Sequence, residues 1–148
     1  MLAVALQVEA ATGATPDLEK ALASLLPQLN PALIGPTQAE LAAVIADPAT
    51  TLLVASEDGV ILAVAAVIVY TTPVWVKKAR IEDVVVDQGA RGHGVGQALV
   101  RECLAVARRQ GARVVELQSA RRRESANRLY PRLGFERRES NVYRMTLD

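Results

Sequence analysis

The sequence predicts an α/β fold, an α+β mixed sheet flanked by helices, with elements in the order β-α-α-β-β-β-α-β-α-β-β. The apolar, β-prone runs Thr51–Ser56 and Val60–Thr71 are separated by Glu57-Asp58-Gly59, which is typical of an antiparallel hairpin. Further on, a strand over Ala79–Asp87 and a strand over Arg113–Gln118 enclose a helical segment. Because such a crossover joins parallel strands, the sheet should be mixed.

The other elements are predicted from apolar periodicity and from residues that begin or end helices. Thr15 and Thr37 are candidate N-caps, and Gly111 and Gly134 are candidate helix stops. These elements are a strand at Val4–Glu9, helices at Pro16–Leu29, Thr37–Asp47, Gly94–Gln110 and Glu124–Leu133, and closing strands at Phe135–Arg138 and Val142–Leu147.

The composition excludes several classes of protein. A chain of 148 residues is expected to form a single domain over residues 1–148. The net charge of +1 gives no overall field for nucleic acid, and a single cysteine and a single histidine argue against a metal site. The longest apolar run, Val60–Tyr70, is shorter than the ~20 residues that span a bilayer, so we expect no membrane partner and a cytoplasmic location.

The most informative motif is Arg91-Gly92-His93-Gly94-Val95-Gly96, between a predicted strand and a predicted helix. Glycines there let a loop expose its amides, and these amides and the positive end of the helix would bind phosphate. A P-loop requires lysine and a hydroxyl residue after the last glycine, but Gln97 and Ala98 follow Gly96. A dinucleotide fingerprint would require glycine or alanine at Gln97 or Leu99.

The same motif resembles the R/Q-x-x-G-x-G/A signature of the GCN5-related N-acetyltransferase (GNAT) family. The segment Ala126–Phe135 resembles the second family motif, with Tyr130 four residues before Gly134-Phe135. The order of elements is similar along nearly the whole chain. The strand Ile81–Asp87 also looks like that of glucosamine-6-phosphate N-acetyltransferases.

The resemblance implies a GNAT-type acyl-CoA N-acyltransferase fold with acetyl-CoA as co-substrate and no metal. It assigns the cofactor's pyrophosphate to the loop Arg91, Gly92, His93, Gly94, Val95 and Gly96. It assigns the pantetheine arm to the strand residues Val84, Val85 and Val86, beside a bulge that opens a slot. Asn127 is a further candidate contact, although the family's usual asparagine position holds Arg123.

Acetyl transfer to an amine needs a base for the ammonium proton and an acid for the leaving thiolate. Glu82 and Asp83 are the acids nearest the cofactor strand, and the family resemblance implies Glu82 as the first candidate for the base, with Asp83 the alternate. An ion-pair role is the competing interpretation for both. Tyr130 is the candidate acid, because a phenol is protonated at neutral pH; packing is its competing role. The Val84 amide is a candidate to polarise the thioester carbonyl.

The acceptor is expected to be a primary amine of a small molecule or a peptide. Trp75 could line its pocket, a homodimer surface or the core, and the basic cluster Arg121–Arg123 could bind a phosphate or simply be solvated. We also expect Pro131 to kink the last helix and thereby re-aim Tyr130. The alternative function is a non-catalytic acyl-CoA-binding or regulatory module on the same fold.

Overall fold

The computed structural model describes residues 5–148, so Val4 of the predicted first strand lies outside the described residues. The chain divides into two compact units, the first ending at Gln118 and the second beginning at Ser119. The first unit contains β1 (Leu6–Ala10), α1 (Pro16–Leu29), α2 (Gln38–Ala46), β2 (Thr50–Glu57), β3 (Val60–Tyr70), β4 (Lys78–Val86), a 3-10 turn (Gln88–Ala90), α3 (Val95–Arg109) and β5 (Val115–Leu117). The second unit contains α4 (Glu124–Arg132).

The five strands form one sheet in the order β1-β2-β3-β4-β5. Neighbouring strands are antiparallel except β4 and β5, which are parallel, as the crossover predicts. The β2–β3 hairpin turns through Asp58 and Gly59, which both have positive φ (52° and 78°). Positive φ at both central residues matches the twist of a two-residue hairpin, so the predicted turn is confirmed.

The predicted helix starts are confirmed by their caps. The Thr15 hydroxyl accepts a hydrogen bond from the Leu18 amide at 3.2 Å, and the Thr37 hydroxyl accepts one from the Glu40 amide at 3.2 Å. Each bond satisfies an amide that has no carbonyl partner in the first turn of its helix. Both helices therefore begin where the sequence predicts.

Helices cover both faces of the sheet. On one face, leucines of α1 and α2 pack with buried residues of the strands; this cluster contains Leu18, Leu22, Leu25, Leu41, Leu52, Val64 and Val85. The opposite face buries Ala63, Ala65 and Val67 of β3. The apolar side of α3, including Leu99 and Cys103, is also fully buried and packs against β1 to β4. Burial on both faces explains why β3 reads as a continuous apolar run.

The two closing strands of the sequence prediction are wrong. Residues 135–148 have no strand in the described structure, and Tyr143, Met145 and Leu147 are each at least 83% exposed. Alternating apolar residues indicate which side chains would share a face, but a strand forms only when its backbone finds a partner. The number of strands among residues 5–148 is therefore five rather than seven.

In the second unit, α4 is unbroken through Pro131 and ends one residue later, at Arg132. The proline lies in the last turn and the helix continues past it, so the kink predicted at Pro131 does not interrupt α4. Gly134 follows with φ 98° and donates its amide to the Pro131 carbonyl at 3.1 Å, which confirms it as the stop. Within the part of the chain that the structure describes, no helix has both the length and the apolar character needed to cross a bilayer.

Candidate active site

A β-bulge interrupts β4 at the carboxylate pair that the sequence singled out. Glu82 pairs with Ala66 and Val85 pairs with Val64, so two residues of β4 stand opposite one residue of β3. Asp83, the first of the two, has φ 54°, a left-handed conformation that non-glycine residues rarely adopt. The bulge that the family resemblance implied is therefore present at Asp83 and Val84.

The bulge reverses which face of the sheet receives the side chains of β4. Before it, Ile81 pairs with Val67; after it, Val85 pairs with Val64, on the other face of β3. Val85 consequently packs into the α1–α2 cluster, where its side chain is buried. Val84 and Val86 are half-buried. Glu82 and Val85 thus lie on the same face of the sheet, the face covered by α1 and α2, although they are three positions apart in the sequence.

The sheet opens at the same place. The parallel ladder between β4 and β5 covers only Ala79–Ile81 and Val115–Leu117, and β4 continues to Val86. Lys78 forms an ion pair with Glu116 across the paired part of the two strands. Beyond Ile81 the two strands share no ladder, which matches the slot expected from a bulged strand.

The two candidate bases have different surroundings. The Glu82 carboxylate forms an ion pair with Arg80, whose guanidinium also donates to the Gln118 side chain at 2.9 Å. The Asp83 side chain lies near the surface, where partial desolvation, and secondarily the charge of Glu82, raise the pKa of its carboxyl above the ordinary value of 3.8. Glu82 is therefore engaged by an arginine, whereas the Asp83 carboxyl binds a proton more readily than an ordinary aspartate does.

The segment between β4 and the glycine loop is closely hydrogen-bonded. Asp87 caps the 3-10 turn, with Oδ2 accepting from the Gly89 amide at 3.1 Å. Gln28 of α1 donates to Asp87 Oδ1 at 2.9 Å. The Arg91 guanidinium turns back and donates from Nε to the Val86 carbonyl at 3.2 Å. The exit of β4 is thus fixed immediately before Gly92.

The glycine loop presents its backbone to solvent. Gly92 (φ 84°) and Gly94 (φ 79°) are both left-handed, and Gly94 is the N-cap of α3 without a side-chain cap. The first-turn amides of α3, from Val95 onwards, have no carbonyl partner in their own helix. No acidic residue lies in this first turn. The loop and helix end therefore offer unopposed positive dipoles to an anion.

Tyr130 and Asn127 belong to the second unit. Tyr130 is buried on α4 and contacts Phe135 edge to face, with ring centroids 5.8 Å apart. The Asn127 amide nitrogen donates to the carbonyls of Ala120 at 2.9 Å and Arg121 at 3.4 Å. These bonds tie α4 to the segment before it, so in this state the Asn127 donor is engaged within its own unit.

The other residues that the sequence singled out differ in their exposure to solvent. His93 is exposed in the loop, and Cys103 is fully buried, where desolvation raises the pKa of its thiol to about 12. Trp75 is 42% exposed in the β3–β4 loop, so core packing is excluded for it. Arg121 and Arg122 are exposed, and Arg123 is half-buried.

Sequence reasoning missed two residues next to the site, Arg80 and Gln28. Arg80 and Glu82 alternate along one strand, and this spacing could have indicated their ion pair. The contact of Gln28 with Asp87 joins residues 59 positions apart, and no local pattern indicates it.

Comparison with known proteins adds independent information. The model of the Acetyltransferase (GNAT) family matches residues 18–135. An uncharacterized N-acetyltransferase of Methanocaldococcus jannaschii is 39% identical over 61 residues, which are 41% of this chain and 27% of that protein. The matched segment thus spans about a quarter of the length of that relative.

Two solved structures have the same architecture. A putative acetyltransferase from Agrobacterium tumefaciens is 27% identical, with a TM-score of 0.83 over 95% of this chain and 99% of the other. Glucosamine-6-phosphate N-acetyltransferase from Arabidopsis thaliana is 21% identical, with a TM-score of 0.80 over 95% of this chain and 98% of the other. At that identity the second likeness shows the fold alone.

Proposed function

Because this chain belongs to the GNAT acetyltransferase family, we propose that it transfers an acetyl group from acetyl-CoA to a primary amine, with residues 1–148 acting as one domain. The observation that carries the proposal is the continuous arrangement of a bulged strand, an open β4–β5 edge and a glycine loop at the N-terminus of α3. A strand-like pantetheine arm needs the first two features, and a pyrophosphate needs the third.

In the proposed complex the pyrophosphate lies against the amides of Gly92 to Gly96. Gly92 and Gly94 orient these amides, and neither residue places a side chain between the backbone and the ligand. A Cβ on either glycine would point into open space, which is the space that the ligand is proposed to fill. The negative charge also lies at the positive end of α3. Arg91 and His93 are exposed beside the loop and supply cationic or hydrogen-bonding contacts. Asn127 is kept as a further contact, to be made by its side-chain oxygen.

The pantetheine arm would extend along β4 at Val84 to Val86 and add its amides to the strand edge beyond Ile81. Main-chain pairing of this kind gives affinity without depending on side chains. The buried Val85 side chain keeps the strand in register by packing into the α1–α2 cluster. The thioester then lies near the bulge, where the Val84 amide polarises its carbonyl in the transition state.

The proposed reaction is direct transfer within a ternary complex of the protein, acetyl-CoA and the amine. A base accepts a proton from the ammonium, and the neutral amine attacks the thioester carbonyl. The carbon–sulfur bond then breaks, and the nitrogen gives its second proton to water as the neutral amide forms. We propose one carboxylate of the Glu82–Asp83 pair as the base. The ion pair with Arg80 weighs against Glu82, and the raised pKa favours Asp83. Tyr130 donates a proton to the leaving thiolate, an interaction that is stronger in the transition state than with the thioester.

The proposed acceptor is a primary amine of a small molecule or a peptide. The glucosamine-6-phosphate N-acetyltransferase with the same fold makes amino sugars a sensible class for a first screen. The screen would also include diamines, aminoglycosides and peptides with free N-termini, with CoA thiol release as the readout. The protein's own buried thiol, Cys103, should not contribute background in the folded state.

The test of the proposal combines turnover with binding. Tyr130→Phe should lower kcat by about 100-fold, the usual lower range for loss of a general acid, and should change CoA affinity less than twofold. Tyr143→Phe is the matched control, because Tyr143 is 88% exposed in the C-terminal segment, and it should leave both quantities unchanged. Tight CoA binding without thiol release for any amine would instead identify a non-catalytic acyl-CoA module.

A further inference from the structure

The last turn of α1 carries a glutamine whose side-chain amide is hydrogen-bonded at both ends. The Gln28 amide nitrogen donates to Asp87 Oδ1 at 2.9 Å and to the Ser24 carbonyl at 3.3 Å. Its oxygen accepts from the Gln88 amide at 2.9 Å. Only one orientation of the side-chain amide satisfies both a carboxylate and an N–H group, so these bonds define its geometry.

These bonds fix the turn that leads into the glycine loop. Asp87 also forms two backbone hydrogen bonds: its amide donates to the Leu62 carbonyl at 2.8 Å, and its carbonyl accepts from the Ala90 amide at 2.9 Å. Its second carboxylate oxygen caps the turn at Gly89. A change at Gln28 therefore acts on a short, closed segment that ends at Arg91, the residue directly before Gly92.

The loop itself is rich in glycine, the residue that restrains the backbone least. Glycine loses more backbone entropy on ordering than any other residue, and Gly92 and Gly94 lie within three positions of each other. A loop that orders only when ligand binds subtracts that entropy from the binding free energy. Holding its entrance in the free protein removes part of this cost.

We infer that Gln28 is a positioning residue for the pyrophosphate loop, acting through Asp87 and Gln88. It links α1, the first helix, to the loop that is proposed to bind the co-substrate, and it touches neither the pyrophosphate nor the reacting atoms. The inference rests on the proposed binding of acetyl-CoA. It assigns Gln28 an effect on affinity for the co-substrate and leaves the chemical step unchanged.

The first test is Gln28→Leu, which keeps a similar side-chain size and removes the hydrogen bonds. Titration calorimetry with CoA should give a Kd about tenfold weaker, since a bond to a carboxylate and a bond to an amide are lost. The KM for acetyl-CoA should rise similarly, while kcat at saturation changes less than twofold. Gln38→Leu is the matched control: Gln38 donates to the Ala14 carbonyl at 3.0 Å, at the start of α2, away from the loop residues.

The second test is Gln28→Glu, which gives a pH signature that a packing role would not produce. At pH 8 the introduced carboxylate faces Asp87, and the like charges repel. As pH falls, the pair takes up one proton, and a carboxyl–carboxylate hydrogen bond replaces the lost donor. The ratio of variant to wild-type CoA affinity should therefore increase as the pH is lowered from 8 to 5.5. Taking the ratio removes every contribution that is common to the two proteins, including those of His93, Arg91 and the ligand phosphates.

The outcomes separate this inference from the proposed function. If wild-type protein does not bind CoA, the proposed function is wrong. If wild type binds CoA and Gln28→Leu binds it within twofold, the positioning role is wrong and the proposed function stands. If Gln28→Leu does not fold, Gln28→Glu decides: an affinity ratio that stays flat with pH overturns the inference, and a ratio that rises on acidification supports it.

Discussion

Gly94→Ala isolates the conformational requirement of the glycine loop. Gly94 has φ 79° and ψ 7°, and a Cβ built on it meets no atom within 4 Å. The substitution therefore causes no steric clash, and its cost is that of placing an L-residue in the left-handed region, about 1–2 kcal/mol. The smaller entropy of the unfolded alanine chain offsets about 0.4–1 kcal/mol of this cost. We expect a net loss of about 1 kcal/mol, a fall of roughly 2–4 °C in Tm.

The measurement is urea and thermal unfolding without CoA, so that ligand binding does not enter. Gly13→Ala is the matched control, because a Cβ at Gly13 also meets no atom within 4 Å and its φ lies outside the left-handed range. That variant should be neutral or stabilised by up to about 1 kcal/mol. Equal unfolding free energies for the two variants would refute the argument that Gly94 is required for its backbone conformation.

Two further predictions concern strain and charge. Val76 has φ 67° in the β3–β4 loop, so Val76→Gly should raise the free energy of unfolding, measured in urea, by about 1 kcal/mol. Val74→Gly, at an exposed position of the same loop, is the control and should give no increase. Equal effects of the two substitutions would contradict strain at Val76. The raised pKa of Asp83 means that its favourable contribution is present below its usual pKa and is lost as pH rises through the raised value. Asp83→Asn should therefore raise the urea midpoint at neutral pH, with no gain near pH 3. If Asp83 is the base, the variant also loses about 100-fold in kcat/KM while Glu82→Gln loses little, and the reverse pattern would assign the base to Glu82.

The helices and the central strands could be predicted because their signals are local. Thr15 and Thr37 cap the helices that they precede in sequence, and the apolar stripe of α3 is buried as its periodicity requires. The C-terminal segment was predicted wrongly because strand formation depends on a partner that the alternation of Tyr143, Met145 and Leu147 cannot specify.

The candidate site was predictable to a different extent in each part. The glycine loop can be predicted as an anion-binding site from the spacing of Gly92 and Gly94 between a strand and a helix. The bulge at Asp83 entered only through the family resemblance, because nothing in the residues of β4 marks an extra position. The Gln28 contact with Asp87 depends on how α1 packs near the end of β4, a tertiary relation that no short window contains.

The bulge in β4 bears on how the sequence could evolve, because deletion of a single residue could remove it. With a single residue between them, Glu82 and Val85 could pair with Ala66 and Val64 as they do now, because only Ala65 separates those two partners. Loss of the codon for Asp83 would therefore leave the ladder on either side of the gap unchanged and would restore a regular strand. A single-codon deletion could therefore remove the bulge and still leave the leucine core in place.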